Sequence, residues 1–123
     1  MRQAQSYKRT VLVVEDDALQ RETIVTLLEE SEMDVIQCES GEAAELVLDH
    51  VGGCLTTLLT DVNLAGAMDG IELAQIAHER FPALRIVVIS ASPRVSRLPD
   101  GTQFVAKPWR PLELLQQTDA WKH

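Results

Sequence analysis

The chain has 123 residues, 46% hydrophobic and 24% charged, with a formal net charge of −8. That is the size and balance of one domain, expected to span 1–123 with a core over about 9–121, able to close without disulfide or metal staples. The acidic balance argues against direct nucleic-acid binding, which needs clustered Lys and Arg to neutralise phosphates, and against docking on an anionic membrane surface.

After a polar lead-in over 1–8, apolar strands alternate with amphipathic helices. Thr10–Val14 is a β-branched run without polar interruption, as a strand buried on both faces requires. Glu15, Asp16 and Asp17 end it. A helix is predicted over 17–30, with Asp17 as its cap and Ile24, Leu27 and Leu28 on one face. A shorter strand follows over 33–38. Ser40 caps the next helix, whose Ala44, Val47, Leu48 and Val51 recur at helical spacing, and Gly52-Gly53 stops it. A third apolar strand over 55–60 ends at Asp61. A loop carrying Gly66 leads to a helix over 70–80, closed near Pro82. A fourth strand over 85–89 ends at Ser90, and a fifth, Gln103–Ala106, ends at Lys107-Pro108. Pro111 suits the first turn of a last helix reaching Trp121.

This order predicts an α/β fold: a flavodoxin-like, doubly wound, five-stranded parallel sheet in the order 2-1-3-4-5. The stretch 91–102 holds Pro93, Pro99 and Gly101 and little apolar periodicity, so the fourth crossover helix is expected to be short or irregular. No repeat or low-complexity segment is present. Cys38 and Cys54 are read as thiols of a reducing cytoplasm, and His50, His78 and His123 lack ligand spacing. No apolar run reaches the length of a membrane span, and the first residues are not signal-like, so the expected location is cytoplasmic.

The polar residues at the strand ends are the chemically informative ones. Glu15-Asp16, Asp61, Ser90 and Lys107 each follow a buried strand, and the carboxyl ends of the strands form the ligand crevice of an open parallel sheet. Three carboxylates gathered there cannot all stay ionised without compensation, which a hard, oxygen-seeking Mg²⁺ provides. Lys107 adds a compact cation and Ser90 a hydroxyl, both suited to phosphoryl oxygens. The set suits in-line attack of a carboxylate on phosphorus, giving an aspartyl phosphate.

Four motifs carry a resemblance: VLVVEDD at 11–17, TDVNL at 60–64, VVISA at 87–91 and FVAKPW at 104–109. In this order, each around a predicted strand end, they resemble the receiver domain of two-component response regulators over about residues 9–121. The resemblance implies that Asp61 is the phosphoacceptor. It implies that Asp16 binds Mg²⁺ directly, Glu15 through water, and Asn63 through its backbone carbonyl. Ser90 matches the switch hydroxyl, Phe104 the aromatic switch position and Lys107 the lysine of the family motif, with a cis Lys107–Pro108 peptide. Implied partners are a histidine kinase or histidine phosphotransfer protein and a downstream protein, with a phosphorylation-dependent dimer among the assemblies to expect. No turnover enzyme is implied beyond self-phosphorylation and self-dephosphorylation. No output domain is read after Trp121, so output is expected through protein contact, a phosphate sink or relay, or a domain outside this sequence.

Two features depart from the family pattern. Ala65-Gly66-Ala67-Met68 replaces a Pro-containing turn and is slightly longer, and the stretch from Ser90 to Lys107 is short by about a helical turn. Three other readings compete. A haloacid-dehalogenase-like phosphatase wants D-x-D after the first strand and a cap domain. A flavodoxin-type carrier wants hydroxyls and glycines where Glu15-Asp16-Asp17 would repel phosphate. A pseudo-receiver adaptor would have lost the acids that are present here.

Overall fold

A computed structural model of the chain describes residues 9–92 and 95–118. Within them run β1 (Thr10–Val14), α1 (Ala18–Glu30), β2 (Asp34–Cys38), α2 (Gly41–Val51), β3 (Thr57–Asp61), α3 (Gly70–Arg80), β4 (Arg85–Ser90), β5 (Gln103–Ala106) and α4 (Pro111–Gln117). The strands form one parallel sheet in the order β2-β1-β3-β4-β5, as predicted. Strand order reverses beside β1, so the carboxyl ends of β1 and β3 open the crevice where ligands bind in such sheets.

Side-chain alternation sorts the core into two layers. Val11, Val13, Leu59, Val87, Ile89 and Val105 pack with Ile24, Val25 and Leu28 of α1 and Leu114 of α4. Leu12, Val14, Leu58, Ile86 and Val88 pack with Ala44 and Leu48 of α2 and with Leu73, Ala74 and Ala77 of α3. The central strands are therefore apolar on both faces, which is why they read as uninterrupted runs. Three of the helices start on side-chain caps. Asp17 accepts from the Gln20 N–H at 3.0 Å and Ser40 from Ala43 at 3.1 Å, while Asp69 and Glu72 form a reciprocal capping box.

Several boundaries differ from the expectation for identifiable reasons. β2 starts at Asp34 because the Met33 N–H turns back to the Leu28 carbonyl at 3.2 Å, closing α1 through a left-handed Glu32. β3 starts at Thr57 because Gly52–Cys54 continues α2 as a 3₁₀ turn and takes the Leu55 N–H at 3.2 Å. At the other end Asp61 pairs with Ile89, and Ser90 with Ala106. Both are ladder residues, so their backbones are held by the sheet and not by a loop.

Among the described residues of the 91–102 crossover there is no helix. Val95 and Leu98 lie partly buried against the layer shared with α2 and α3, and Gln75 Nε2 donates to the Arg97 carbonyl at 2.7 Å. The lead-in over 1–8, Pro93, Trp121, His123 and the expected last turn of the final helix lie outside the described residues. Cys38 is buried and Cys54 exposed, both as free thiols. Among the described residues no helix is long and apolar enough to cross a membrane.

Candidate functional site

The sheet brings the strand-end residues to one edge. Val14 and Thr60 are register partners of adjacent strands, so Glu15 and Asp61, the next residue on each, stand side by side at the carboxyl edge of the sheet. Asp61 is only 4% exposed and Glu15 2%. The Lys107 ammonium is hydrogen-bonded to Asp61 Oδ2 and stands 3.9 Å from Glu15 Oε1. Its backbone is set by the sheet, since the Lys107 N–H donates to the Ser90 carbonyl at 2.9 Å. The Lys107–Pro108 peptide is cis.

The second oxygen of Asp61 is also engaged: Oδ1 accepts from the Asn63 N–H at 2.9 Å. The turn that places Asn63 depends on Gly70, because a Cβ there would stand 2.0 Å from the Asp61 carbonyl oxygen. The Gly70 N–H donates to the Val62 carbonyl at 2.8 Å, so the start of α3 lies directly against the peptide carrying Asp61.

Of the acidic pair, Glu15 points inward and Asp16 outward. Burial pushes the Glu15 carboxyl up to about 7, the Asp17 N–H opposes that, the neighbouring Asp61 adds to it, and Lys107 offsets part of it. Glu15 Oε2 accepts from the Asp17 N–H at 3.1 Å. Asp16 is exposed and its Oδ2 accepts from the Ala65 N–H at 2.8 Å. A buried acid that resists ionisation beside a second carboxylate is the electrostatic signature of a place that would gain from a cation. The available donors are all oxygen, as Mg²⁺ prefers. Among the described residues no group of three His, Cys, Asp or Glu side chains forms a ready cage, so what favours a cation is the paired burial of Glu15 and Asp61 and the oxygen donors beside them. The residues present therefore fit Mg²⁺.

Ser90 is fully buried, and its Oγ accepts from the Ser92 N–H at 3.0 Å. Phe104 is the register partner of the buried Val88, yet it is 36% exposed. It shares a sheet face with Ser90, two residues up the paired strand, and among the described residues of the crossover there is no helix to cover it. A hollow of about 460 Å³ is lined by Gln20, Ala91, Lys107, Pro108 and Trp109.

Arg21, like the close fit at Gly70, was missed by the sequence reading. Arg21, one turn into α1, donates from Nη1 to the Glu15 carbonyl at 2.8 Å and from Nε to Gln37 Oε1 of β2 at 3.1 Å. It braces the peptide that joins Glu15 to Asp16. An arginine on the polar side of a helix gives no sign of this in the sequence.

The comparisons with known proteins agree with one another. The family model of the response regulator receiver domain matches residues 11–119. The response regulator receiver protein CpdR of Brucella abortus is 31% identical over 116 residues, covering 90% of this chain and 94% of that protein. A cyclic di-GMP phosphodiesterase of Thermotoga maritima is 37% identical over 98 residues, but this chain spans 23% of its length. Among solved structures, a response regulator receiver domain protein from Clostridium thermocellum superimposes with a TM-score of 0.82 at 15% identity, covering 90% of this chain and 91% of that one. A receiver protein from Sinorhizobium medicae gives 0.78 at 26% identity, covering 91% and 92%.

Proposed function

We propose that this chain, which belongs to the response-regulator receiver-domain family of two-component signal transduction, accepts a phosphoryl group on Asp61 from a phosphohistidine of a histidine kinase or histidine phosphotransfer protein. The observation that carries the reading is the triad at the sheet edge: Asp61 and Glu15 side by side and buried, with Lys107 bonded to the first and 3.9 Å from the second.

In this reading a carboxylate oxygen of Asp61 attacks phosphorus in line with the leaving nitrogen. The P–O bond forms as the P–N bond breaks, and the electron pair of that bond stays on the donor imidazole. Lys107 holds Asp61 in place before transfer and offers its N–H donors to the phosphoryl oxygens afterwards. The Asn63 N–H fixes the carboxylate plane. Asp16, Asp61 and the Asn63 carbonyl would hold Mg²⁺, with Glu15 reaching it through water. When bound, Mg²⁺ supplies the positive charge that lets the acids stay ionised and offsets charge on the phosphoryl oxygens. The hollow beside Lys107 and Trp109 leaves room for the donor to approach.

Hydrolysis of the acyl phosphate returns Asp61 and inorganic phosphate, so the chain is a switch and not a turnover enzyme. Ser90 reports on the site by exchanging its Ser92 N–H contact for a phosphoryl oxygen, and Phe104 shares that face of the sheet. The output is contact with a downstream protein in the cytoplasm, with phosphorylation-dependent dimerisation as one form of it.

The test is mass spectrometry after incubation with acetyl phosphate and Mg²⁺. The wild type gains one phosphoryl group, and Asp61→Asn gains none while keeping its circular dichroism spectrum. Uptake by Asp61→Asn at the wild-type level refutes the assignment. An unmodified wild type, with or without the metal, would favour a phosphorylation-independent adaptor.

A further inference from the structure

The turn over 65–68, where this chain departs from the family pattern, has neither a proline nor a side-chain hydroxyl to stiffen it. The N–H groups of Ala65 and Ala67 are taken by two carboxylates from elsewhere in the chain. Asp16 Oδ2 accepts from Ala65 at 2.8 Å, and Glu42 Oε2 accepts from Ala67 at 2.8 Å. Glu42 is the second residue of α2, 25 positions from Ala67.

The fit between α2 and the turn is close at successive points. A Cβ at Gly66 would lie 3.1 and 3.2 Å from the two Glu42 oxygens, and the φ of +103° at this residue is one that L side chains rarely adopt. A Cβ at Gly41 would lie 3.0 Å from the Met68 side chain. The Glu42 carboxyl is held below its ordinary value by its own N–H and by those of Ala67 and Met68, so it is anionic when it accepts them.

We propose that Glu42 is a positioning residue for the cation site. This rests on the reading of Asp16 and Asn63 as cation ligands. By holding Ala67, Glu42 sets where the Ala65 N–H stands. That N–H occupies one oxygen of Asp16, an exposed side chain, and leaves the other available to a cation. The same turn carries the Asn63 carbonyl two residues earlier. Glu42 thus does for this longer, proline-free turn what a stiff turn sequence would do by itself: it removes conformations in which the ligands are apart before the cation arrives. Partners that orient metal ligands from outside the first shell are worth about 10- to 100-fold in affinity, and a residue acting through a turn belongs at the lower end.

A plainer role for Glu42 is an acid favourably placed at the start of a helix. Two variants of the full chain separate the two, Glu42→Ala, which removes the acceptor, and Glu42→Gln, which keeps a carbonyl acceptor but no charge. Two readouts are used: amide hydrogen exchange of Ala65 and Ala67 in EDTA, and the Mg²⁺ midpoint from thermal shift. For Glu42→Ala we expect both amides to exchange at least about tenfold faster and the Mg²⁺ midpoint to rise about tenfold. Glu42→Gln should stay within about threefold of wild type in both, because its carbonyl can still accept from Ala67. The proposal is overturned if Glu42→Ala loosens the turn but leaves the midpoint within about twofold of wild type, or if both variants lose stability alike with unchanged midpoints. A wild type that shows no Mg²⁺ response brings down the cation reading itself, and this proposal with it.

Discussion

The two sides of the sheet are built differently. From β1 to β4 every crossover is a helix started by a side chain, Asp17, Ser40 or Asp69, and the central strands are buried along their length. From β4 to β5 the described crossover has no helix, and only Val95 and Leu98 reach the core from it. The consequence shows in one register pair: Val88 is fully buried while Phe104 beside it is 36% exposed. The strand-end chemistry survives this asymmetry. Lys107 is placed by the Ser90 carbonyl and by Asp61, both sheet residues, so its position does not need the fourth helix. The regular side holds Glu15 and Asp61, and the irregular side contributes Lys107 and the half-exposed Phe104.

The largest expected effect tests whether the sides differ in energy as they do in form. Leu58→Ala, in the fully buried central strand, should cost about 3–4 kcal/mol, whereas Leu98→Ala, on the half-buried crossover, should cost about 1 kcal/mol. Urea unfolding of both variants measures the contrast, and equal losses would mean that the crossover belongs to the cooperative core.

An intermediate effect concerns the reacting edge. Glu15 titrates near its ordinary 4.5 when unfolded and about 7 when folded. Between those values the native state binds the extra proton, so metal-free stability should fall as pH rises through that window and level off above it. Glu15→Gln should remove this part of the slope. Urea midpoints in EDTA across the window compare the two proteins, and parallel curves would show that burial of Glu15 is relieved some other way.

The smallest effect belongs to the exposed aromatic. Phe104→Ala should cost less than about 1 kcal/mol, because its ring is already partly in water. A loss as large as that of Leu58→Ala would place Phe104 in the core after all.

Most of the fold was legible because it rests on neighbours in sequence. The capping residues Asp17 and Ser40 and the β-branched runs announce helix starts and buried strands locally. The strand-end positions of Glu15, Asp61, Ser90 and Lys107 follow from those runs. What escaped the reading lies across the chain. Arg21 reads as a surface residue until β2 and the Glu15 carbonyl stand beside it. Gly70 reads as a helix start until the Asp61 carbonyl is found where its side chain would be. Phe104 matches an aromatic motif position in the sequence, but that it stands 36% exposed beside a fully buried Val88 is visible only in the fold.

From its order of residues alone this protein is committed to five parallel strands in a known order, with acids, a hydroxyl and an amine collected at one edge. Periodicity and strand-end placement are properties of short stretches, and each stretch carries them unaided. Only the closed structure decided that Asp16 and Glu42 would grip one turn from positions 49 and 25 residues away, and that Glu15 would be buried deeply enough to resist its charge. Such contacts depend on how separate elements meet, and burial depends on everything that surrounds a group at once.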